Sequence, residues 1–105
     1  MDRRIRARVY ARRQFVEHGL AEIFNLLCEE LHSADPLKLG TGEIARDEYG
    51  SPVATILPKL CECSDAEQAR FVVENEMRMH YPRADLSNTD WQALAVQFWR
   101  IWGER

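Results

Sequence analysis

The chain has 105 residues, which suits one domain of ordinary size, and its 46% hydrophobic and 30% charged residues suit a packed core with a soluble surface. It contains no run of about 18 apolar residues and no apolar block with a cleavage site near its start, so we expect neither a membrane span nor a secretory signal. Its three cysteines, an odd number, argue against a disulfide framework. We therefore predict a cytoplasmic protein, and we expect a bacterial source.

The net charge of -3 is unevenly distributed along the chain. The first thirteen residues hold six arginines and one aspartate, a net charge of +5, and the rest of the chain carries -8. Such a basic segment could bind nucleic acid, the protein's own acidic surface or a second subunit. Because Tyr10 is the only aromatic residue before Phe15, self-association through this segment is favoured over nucleic-acid binding.

The first thirteen residues fit either a strand or a helix. Ile5, Ala7 and Val9 alternate with arginines, as in a strand, yet Ile5 and Val9 are also four residues apart. Alanine and arginine favour helices, and the sequence offers no partner strand. A helix, or a flexible start that runs into one, is therefore preferred for this segment.

The apolar pattern predicts a long helix over about 10–32. Its expected buried face consists of Val16, Leu20, Ile23, Phe24, Leu27 and Leu31. The helix should end near Ala34, because Pro36 disfavours helical geometry at Asp35. Residues 35–50 are then predicted to form a long ordered loop.

Three further helices follow the predicted loop. The first starts at Ser51 or one turn earlier at Asp47, and Pro58 should kink or end it. Its expected buried face is Val53, Ile56, Leu57 and Leu60. The second begins with a capping box from Ser64 to Glu67 and runs to about His80. Its expected inner face is Ala69, Val72, Val73, Met77 and His80, with Phe71 beside them.

The last predicted helix starts at Thr89, with Ser87 as a competing cap. Its expected inner stripe is Trp91, Leu94, Ala95, Phe98, Ile101 and Trp102. Val96 and Trp99 lie outside the stripe, so either the helix is buried on two sides or Trp99 contacts another chain. We predict a homodimer whose candidate interface residues are Arg4, Arg8, Arg12, Val96 and Trp99.

Together these elements predict an all-α fold with a single domain over 1–105, a compact bundle of four to five helices. The loop at about 35–50 holds the sharpest candidate for chemistry, Asp47-Glu48-Tyr49. With Asp35, these residues could line a ligand-binding or catalytic site under the loop. The alternative is structural: acidic residues favour a helix N-terminus, and Tyr49 would pack over the core.

We predict no cofactor and no metal site. The acidic loop lacks the spacing of a calcium loop, and no two histidines lie three or four residues apart. Cys28 and His32 are four apart, but nothing marks the orienting third group that a cysteine nucleophile needs. Gly40 and Gly42 lack the Lys-Ser/Thr of a phosphate loop.

The order of these features resembles a small all-helical bacterial family of unknown function, DUF1871. Its pattern is a helix that ends in Asp-Pro, a loop with leucine and glycine, and Asp-Glu-Tyr at the start of a helix. Here these are Asp35-Pro36-Leu37, Leu39-Gly40 and Asp47-Glu48-Tyr49, and the resemblance covers about 16–102. Ala34 departs from it, since such sequences often have Trp before Asp-Pro. The resemblance implies a helical fold and no assigned activity.

For function, the leading hypothesis is a non-enzymatic protein-interaction or accessory protein, of the kind found among immunity proteins, antitoxins and mobile gene cassettes. The acidic body would suit a basic partner protein. One alternative is an enzyme or ligand-binding protein with its site under the 35–50 loop. A second alternative is a nucleic-acid binder that uses the arginine-rich start.

Overall fold

The computed structural model describes residues 20–40 and 42–104, which form five α-helices and no strand. The helices are α1 (Ala21–Ala34), α2 (Glu43–Glu48), α3 (Gly50–Leu60), α4 (Ala66–His80) and α5 (Trp91–Gly103). This confirms the predicted all-α fold. Predictions for residues 1–19, which include Arg4, Arg8 and Arg12, lie outside the described residues.

The four longer helices pack in a closed ring around one core. α1 contacts α3 and α5, and α4 lies opposite and contacts the same two helices. The short helix α2 packs outside the ring, against α1 and α3. The largest fully buried aliphatic, aromatic and thioether side chains include Leu27, Leu31, Ile56, Leu57, Met77 and Phe98. Each such side chain stabilises the fold by about 1.5–3 kcal/mol relative to exposure. Among the described helices, none combines the length and the apolar character needed to cross a membrane.

Helix α1 ends where the sequence predicts, at Ala34. Asp35 follows it in the left-handed conformation, with φ 45°, and its N–H donates to the carbonyl of Leu31 at 2.8 Å. Pro36 disfavours right-handed helical geometry at the preceding residue, and aspartate tolerates the left-handed one better than most residues do. The chain therefore leaves the helix at this position in a fixed direction.

Among the described residues of 35–50 the second half is helical, so the prediction of one long loop was wrong there. Residues 43–48 form α2, and Tyr49, with φ -72° and ψ -13°, joins it directly to α3. The prediction of Ser51 or Asp47 as a side-chain cap for α3 was wrong, because α3 begins at Gly50 with no side-chain cap. Pro58 lies on the exposed side of α3, and the helix continues past it to Leu60.

Both predicted N-terminal caps, Ser64 and Thr89, are shifted by one residue. Asp65 caps α4 by accepting from the N–H of Gln68 at 2.9 Å, and the Gln68 side chain accepts from the N–H of Ser64. Asp90 caps α5 by accepting from the N–H of Ala93 at 3.0 Å. Ser64 and Thr89 were therefore wrong as caps. In both stretches a good cap is followed by an aspartate, whose charge also interacts favourably with the helix dipole.

The inner face of α4 is less apolar than predicted. Ala69, Val73 and Met77 are buried, but Phe71 is 69% exposed, so its predicted place beside the inner face was wrong. Glu76 is only 4% exposed and forms an ion pair with Lys59 of α3. The pattern of apolar residues gave no sign of this buried carboxylate.

Candidate functional site

A hydrogen bond between Asp35 and Tyr49 holds the described residues 35–40 that follow α1. The Tyr49 hydroxyl donates to Oδ1 of Asp35 at 2.6 Å, and it accepts from the N–H of Leu37 at 3.0 Å. Tyr49 is fully buried between α2 and α3. Its hydroxyl therefore joins the end of α1 to the start of α3.

The Asp35 carboxylate also holds the backbone of the segment that follows it. It accepts from the N–H of Leu39 at 2.9 Å and from that of Gly40 at 3.0 Å. The turn has positive φ at Lys38 (56°) and Gly40 (96°). The hydrogen bonds that Leu39 and Gly40 donate to Asp35 help to hold the backbone in this conformation. Nε2 of His32 lies 2.7 Å from the carbonyl of Gly40. Asp35 and His32 thus fasten the turn to the last part of α1.

The protonation of the pair follows from its surroundings. Partial burial raises the pKa of Asp35, but the hydrogen bonds from Tyr49, Leu39 and Gly40 outweigh it, so the pKa is lowered from its usual value. Burial, and then the neighbouring carboxylate, raise the pKa of Tyr49 well above that of a free phenol. At neutral pH the pair is therefore a carboxylate and a neutral phenol. Neither group has the pKa near 7 that suits a general acid or base.

The four predicted ligand-binding residues do not share one site. Asp35 lines a groove beside α5, whereas Glu48 lines a second groove beside α2, and Asp47 is exposed and lines neither of the two. The backbone carbonyl of Glu48 accepts from the Tyr81 hydroxyl at 3.2 Å, which ties α2 to the end of α4. Only Asp35 and Tyr49 are brought together, and their hydrogen bonds serve the fold.

The groove beside α5 has a volume of about 440 Å³ and an acidic lining. Three of its four carboxylates are engaged locally: Asp35 holds the turn, and Asp90 caps α5. Asp85 accepts from the hydroxyl and the N–H of Ser87, and these hydrogen bonds lower the pKa of Asp85. The hydrogen bonds of Asp85 and Asp90 stabilise the connection between α4 and α5.

The groove beside α2, here called the apolar groove, has a volume of about 540 Å³. It is lined by Leu37, Leu39, Gly42, Ile44, Ala45, Glu48 and Tyr81. Ile44 is 87% exposed and Leu39 is 43% exposed. Of the three carboxylates on α2, that of Glu48 lines the groove, whereas Glu43 and Asp47 are exposed outside its lining. Ile44 and Leu39 are both part of this lining and make one continuous apolar patch, and such patches, unlike single exposed residues, are typical of surfaces that bind another molecule.

The cysteines and histidines do not assemble a reactive centre in the described part of the chain. No group of three His, Cys, Asp or Glu side chains there is placed to hold a metal ion. Cys28 is buried in the core. Burial, and then nearby acidic groups, raise the pKa of Cys63, which keeps it a thiol at neutral pH.

The interface candidates on α5 differ in their surroundings. Trp99 is half-buried and packs against the core, which accounts for much of its apolar surface within the chain. Val96 is 42% exposed. The homodimer and its interface stay a prediction.

Sequence reasoning missed the apolar groove because it treated 35–50 as a loop. The signal was present in Leu37, Leu39 and Ile44, three large aliphatic residues within eight positions.

Comparison of the chain with protein-family models, with curated proteins and with solved structures finds no match. The resemblance to DUF1871 stays a prediction that depends on the motifs quoted above.

Proposed function

We propose that this chain is a non-enzymatic cytoplasmic protein that works by binding another protein through the apolar groove. The observation that carries the proposal is the 87% exposure of Ile44 at the edge of that groove. Covering an isoleucine side chain contributes about 1.5–3 kcal/mol to association. This proposal includes the accessory roles of immunity proteins, antitoxins and mobile-cassette proteins.

The groove is supported by a fixed framework, which favours binding with little reorganisation. Arg46 of α2 pairs with Glu29 of α1 at 3.3 Å, and Tyr81 holds the carbonyl of Glu48. The hydrogen bond between Asp35 and Tyr49 fastens the other edge. Ile44 is thus presented on a helix that three contacts hold in place.

The charge of the chain indicates the chemistry of the partner. Beyond the first thirteen residues the chain carries -8, and three of its acidic side chains lie on α2, with that of Glu48 in the lining of the groove. Electrostatic complementarity would therefore favour a basic protein and speed its association. The alternative of an enzyme under the 35–50 loop is less favoured, because Asp35 and Tyr49 are engaged with each other and the backbone.

A site-specific photo-crosslinker at position 44 tests the proposal in the host cell. We expect one dominant protein adduct that is absent when the crosslinker is placed at position 71, since Phe71 is also exposed but lies on α4. An Ile44→Glu variant, which keeps the residue at the surface, should lose the same partner in affinity isolation. Identical background adducts at positions 44 and 71 would contradict the proposal.

A further inference from the structure

We infer that two copies of this chain associate through the exposed face of α4, with the two helices antiparallel and a two-fold axis at Asn75. The inference is independent of the proposed function, because no residue of α4 lines the apolar groove. It places the interface of the predicted homodimer on α4 and not at Val96 and Trp99 of α5.

Four exposed residues of α4 lie four positions apart and form one ridge on its surface. They are Glu67, Phe71, Asn75 and Met79, here called the α4 ridge. Residues at this spacing line up along a helix, and such ridges are the surfaces through which helices pack. Phe71 is 69% exposed and Met79 is 66% exposed, and they are about 12 Å apart along the helix. The ridge therefore presents two large apolar side chains with an amide between them.

The chemistry of the ridge is symmetric about its centre. Phe71 and Met79 lie four residues on either side of Asn75, and Glu67 and the exposed Arg83 lie eight residues on either side. A two-fold interface requires a surface that is complementary to itself. When two ridges run antiparallel with Asn75 at the axis, Phe71 of each copy meets Met79 of the other, and a thioether contacts an aromatic ring favourably. A second copy therefore supplies the matching surface by symmetry alone.

The charges at the two ends of the ridge favour the same arrangement. Among the described residues neither Glu67 nor Arg83 forms an ion pair within its own chain. In the antiparallel dimer, Glu67 of each copy lies beside Arg83 of the other copy. In a parallel dimer like charges would meet at both ends. Charge complementarity thus selects a second copy in the antiparallel orientation.

The amide of Asn75 suits a position on the two-fold axis. Its Nδ2 donates to the Sδ of Met79 at 3.5 Å, a contact along the ridge to a weak acceptor. The amide has a second N–H and a carbonyl oxygen, so two such groups at the axis can exchange a pair of hydrogen bonds. A single asparagine at a helix interface fixes the register of the two helices.

The charged residues beside the ridge are held within their own copy. Arg70 and Arg78 both pair with Glu74, at 3.2 and 3.1 Å, and the guanidinium of Arg78 lies 5.8 Å from the ring centroid of Trp91. The ridges can then pack along each other at a helix crossing angle of about 50°. Because each copy contributes one helix, the interface is smaller than the roughly 1,200–2,000 Å² of stable complexes, and the dimer depends on concentration.

Sedimentation equilibrium of the full chain tests the inference. We expect the mass of wild type to rise from monomer toward dimer between about 10 μM and 1 mM, as for a weak interface. Phe71→Glu should raise the dissociation constant at least about tenfold, because it places a carboxylate in the apolar contact. Ile44→Glu is the matched control on α2 and should dimerise as wild type does. A wild-type monomer at about 1 mM, or equal effects of the two variants, would overturn the inference.

Disulfide trapping tests the orientation of the two copies. In a Cys61→Ser/Cys63→Ser background, which leaves the buried Cys28, a Phe71→Cys chain is mixed with a tagged Met79→Cys chain and oxidised. We expect the mixed dimer to form at least about tenfold faster than the Phe71→Cys dimer, since proximity raises the effective concentration. Antiparallel ridges keep the two copies of position 71 about 12 Å apart. Equal rates, or a faster Phe71→Cys dimer, would contradict the antiparallel pair.

A charge exchange at the ends of the ridge gives an independent readout. At low salt Glu67→Arg should weaken the dimer about threefold, because it faces Arg83 of the other copy and exposed ion pairs contribute little each. The double variant Glu67→Arg/Arg83→Glu restores opposite charges at both ends and should recover the wild-type dissociation constant within about twofold. Without that recovery, the pairing of Glu67 with Arg83 between copies, and with it the inference, fails.

Discussion

The hydroxyl of Tyr49 donates a hydrogen bond of 2.6 Å to the carboxylate of Asp35, across fourteen residues of sequence. The contact joins the residue that ends α1 to the residue that links α2 and α3. Since α2 carries Ile44 between these points, the pair helps to fix the apolar groove in position. The sequence suggests Asp35 and Tyr49 as candidates for a ligand-binding or catalytic site. In the structure, the hydrogen bond between them, here called the clasp, supports the fold.

Removing the Tyr49 hydroxyl should destabilise the fold. Tyr49→Phe leaves the N–H of Leu37 without its acceptor and deprives a carboxylate of one donor, so we expect a loss of about 2–3 kcal/mol in the free energy of unfolding. Tyr81→Phe is the matched control, because its hydroxyl donates to a neutral carbonyl and should cost about 1 kcal/mol. Urea denaturation measures both, and equal losses would contradict the role of the clasp.

The contribution of Asp35 should depend on pH. Its folded pKa lies below the usual value of 3.8, so the ionised carboxylate stabilises the fold at pH values above about 4, and this stability is lost as the pH falls through the folded pKa. Asp35→Asn keeps a side chain that tolerates the left-handed conformation but replaces one acceptor by a donor. We expect it to be less stable than wild type at pH 7 and to approach wild type near pH 3.

Denaturation curves of both proteins between pH 7 and pH 3 check this prediction. Asp47→Asn serves as the control for the change in net charge, because Asp47 is exposed on α2. If the difference in the free energy of unfolding between wild type and Asp35→Asn stays constant down to pH 3, the ionised carboxylate does not hold the turn.

The ion pair between Lys59 and Glu76 should show strong coupling. The Glu76 side chain is 5% exposed and that of Lys59 is 53% exposed, so Lys59→Met leaves a buried carboxylate without its charged partner. We expect this single change to cost about 1–3 kcal/mol, less than for a fully buried pair because Lys59 is half in water. The double variant Lys59→Met/Glu76→Met should lose less than the sum of the single changes in urea denaturation. Simple additivity would refute the coupling.

Substitutions at the helix caps distinguish a capping aspartate from the residue that precedes it. Asp65→Ala and Asp90→Ala should each lower the free energy of unfolding by about 1 kcal/mol, because each removes an acceptor from an N–H in the first turn. Thr89→Ala should change it by less than about 0.5 kcal/mol. Thermal or urea unfolding of the three variants settles the cap position, and a larger effect at Thr89 than at Asp90 would contradict it.

The sequence predicted the parts of the fold that depend on local periodicity. The apolar stripes of α1 and α5 were correct at Leu27, Leu31, Leu94 and Phe98, because a helical spacing of buried residues is visible in the chain itself. The end of α1 at Ala34 was correct because Pro36 acts on its direct neighbour.

The missed features depend on contacts that no local pattern contains. Helix α2 has only six residues, too few for a periodic stripe, and its conformation is supported by packing against α1 and α3. The partner of Tyr49 is Asp35, fourteen residues away, and the partner of Glu76 is Lys59, seventeen residues away. The apolar groove is formed by the same kind of long-range contact, so the sequence did not predict it either.

The most direct test of the account is the affinity of the isolated partner for Ile44→Glu compared with wild type and Phe71→Glu. Both substitutions place a carboxylate at an exposed apolar position, so both should fold with nearly unchanged stability. We expect Ile44→Glu to weaken binding at least about tenfold, from the loss of a buried isoleucine, and Phe71→Glu to change it less than about twofold. Equal affinities of the two variants would contradict the groove as the binding surface.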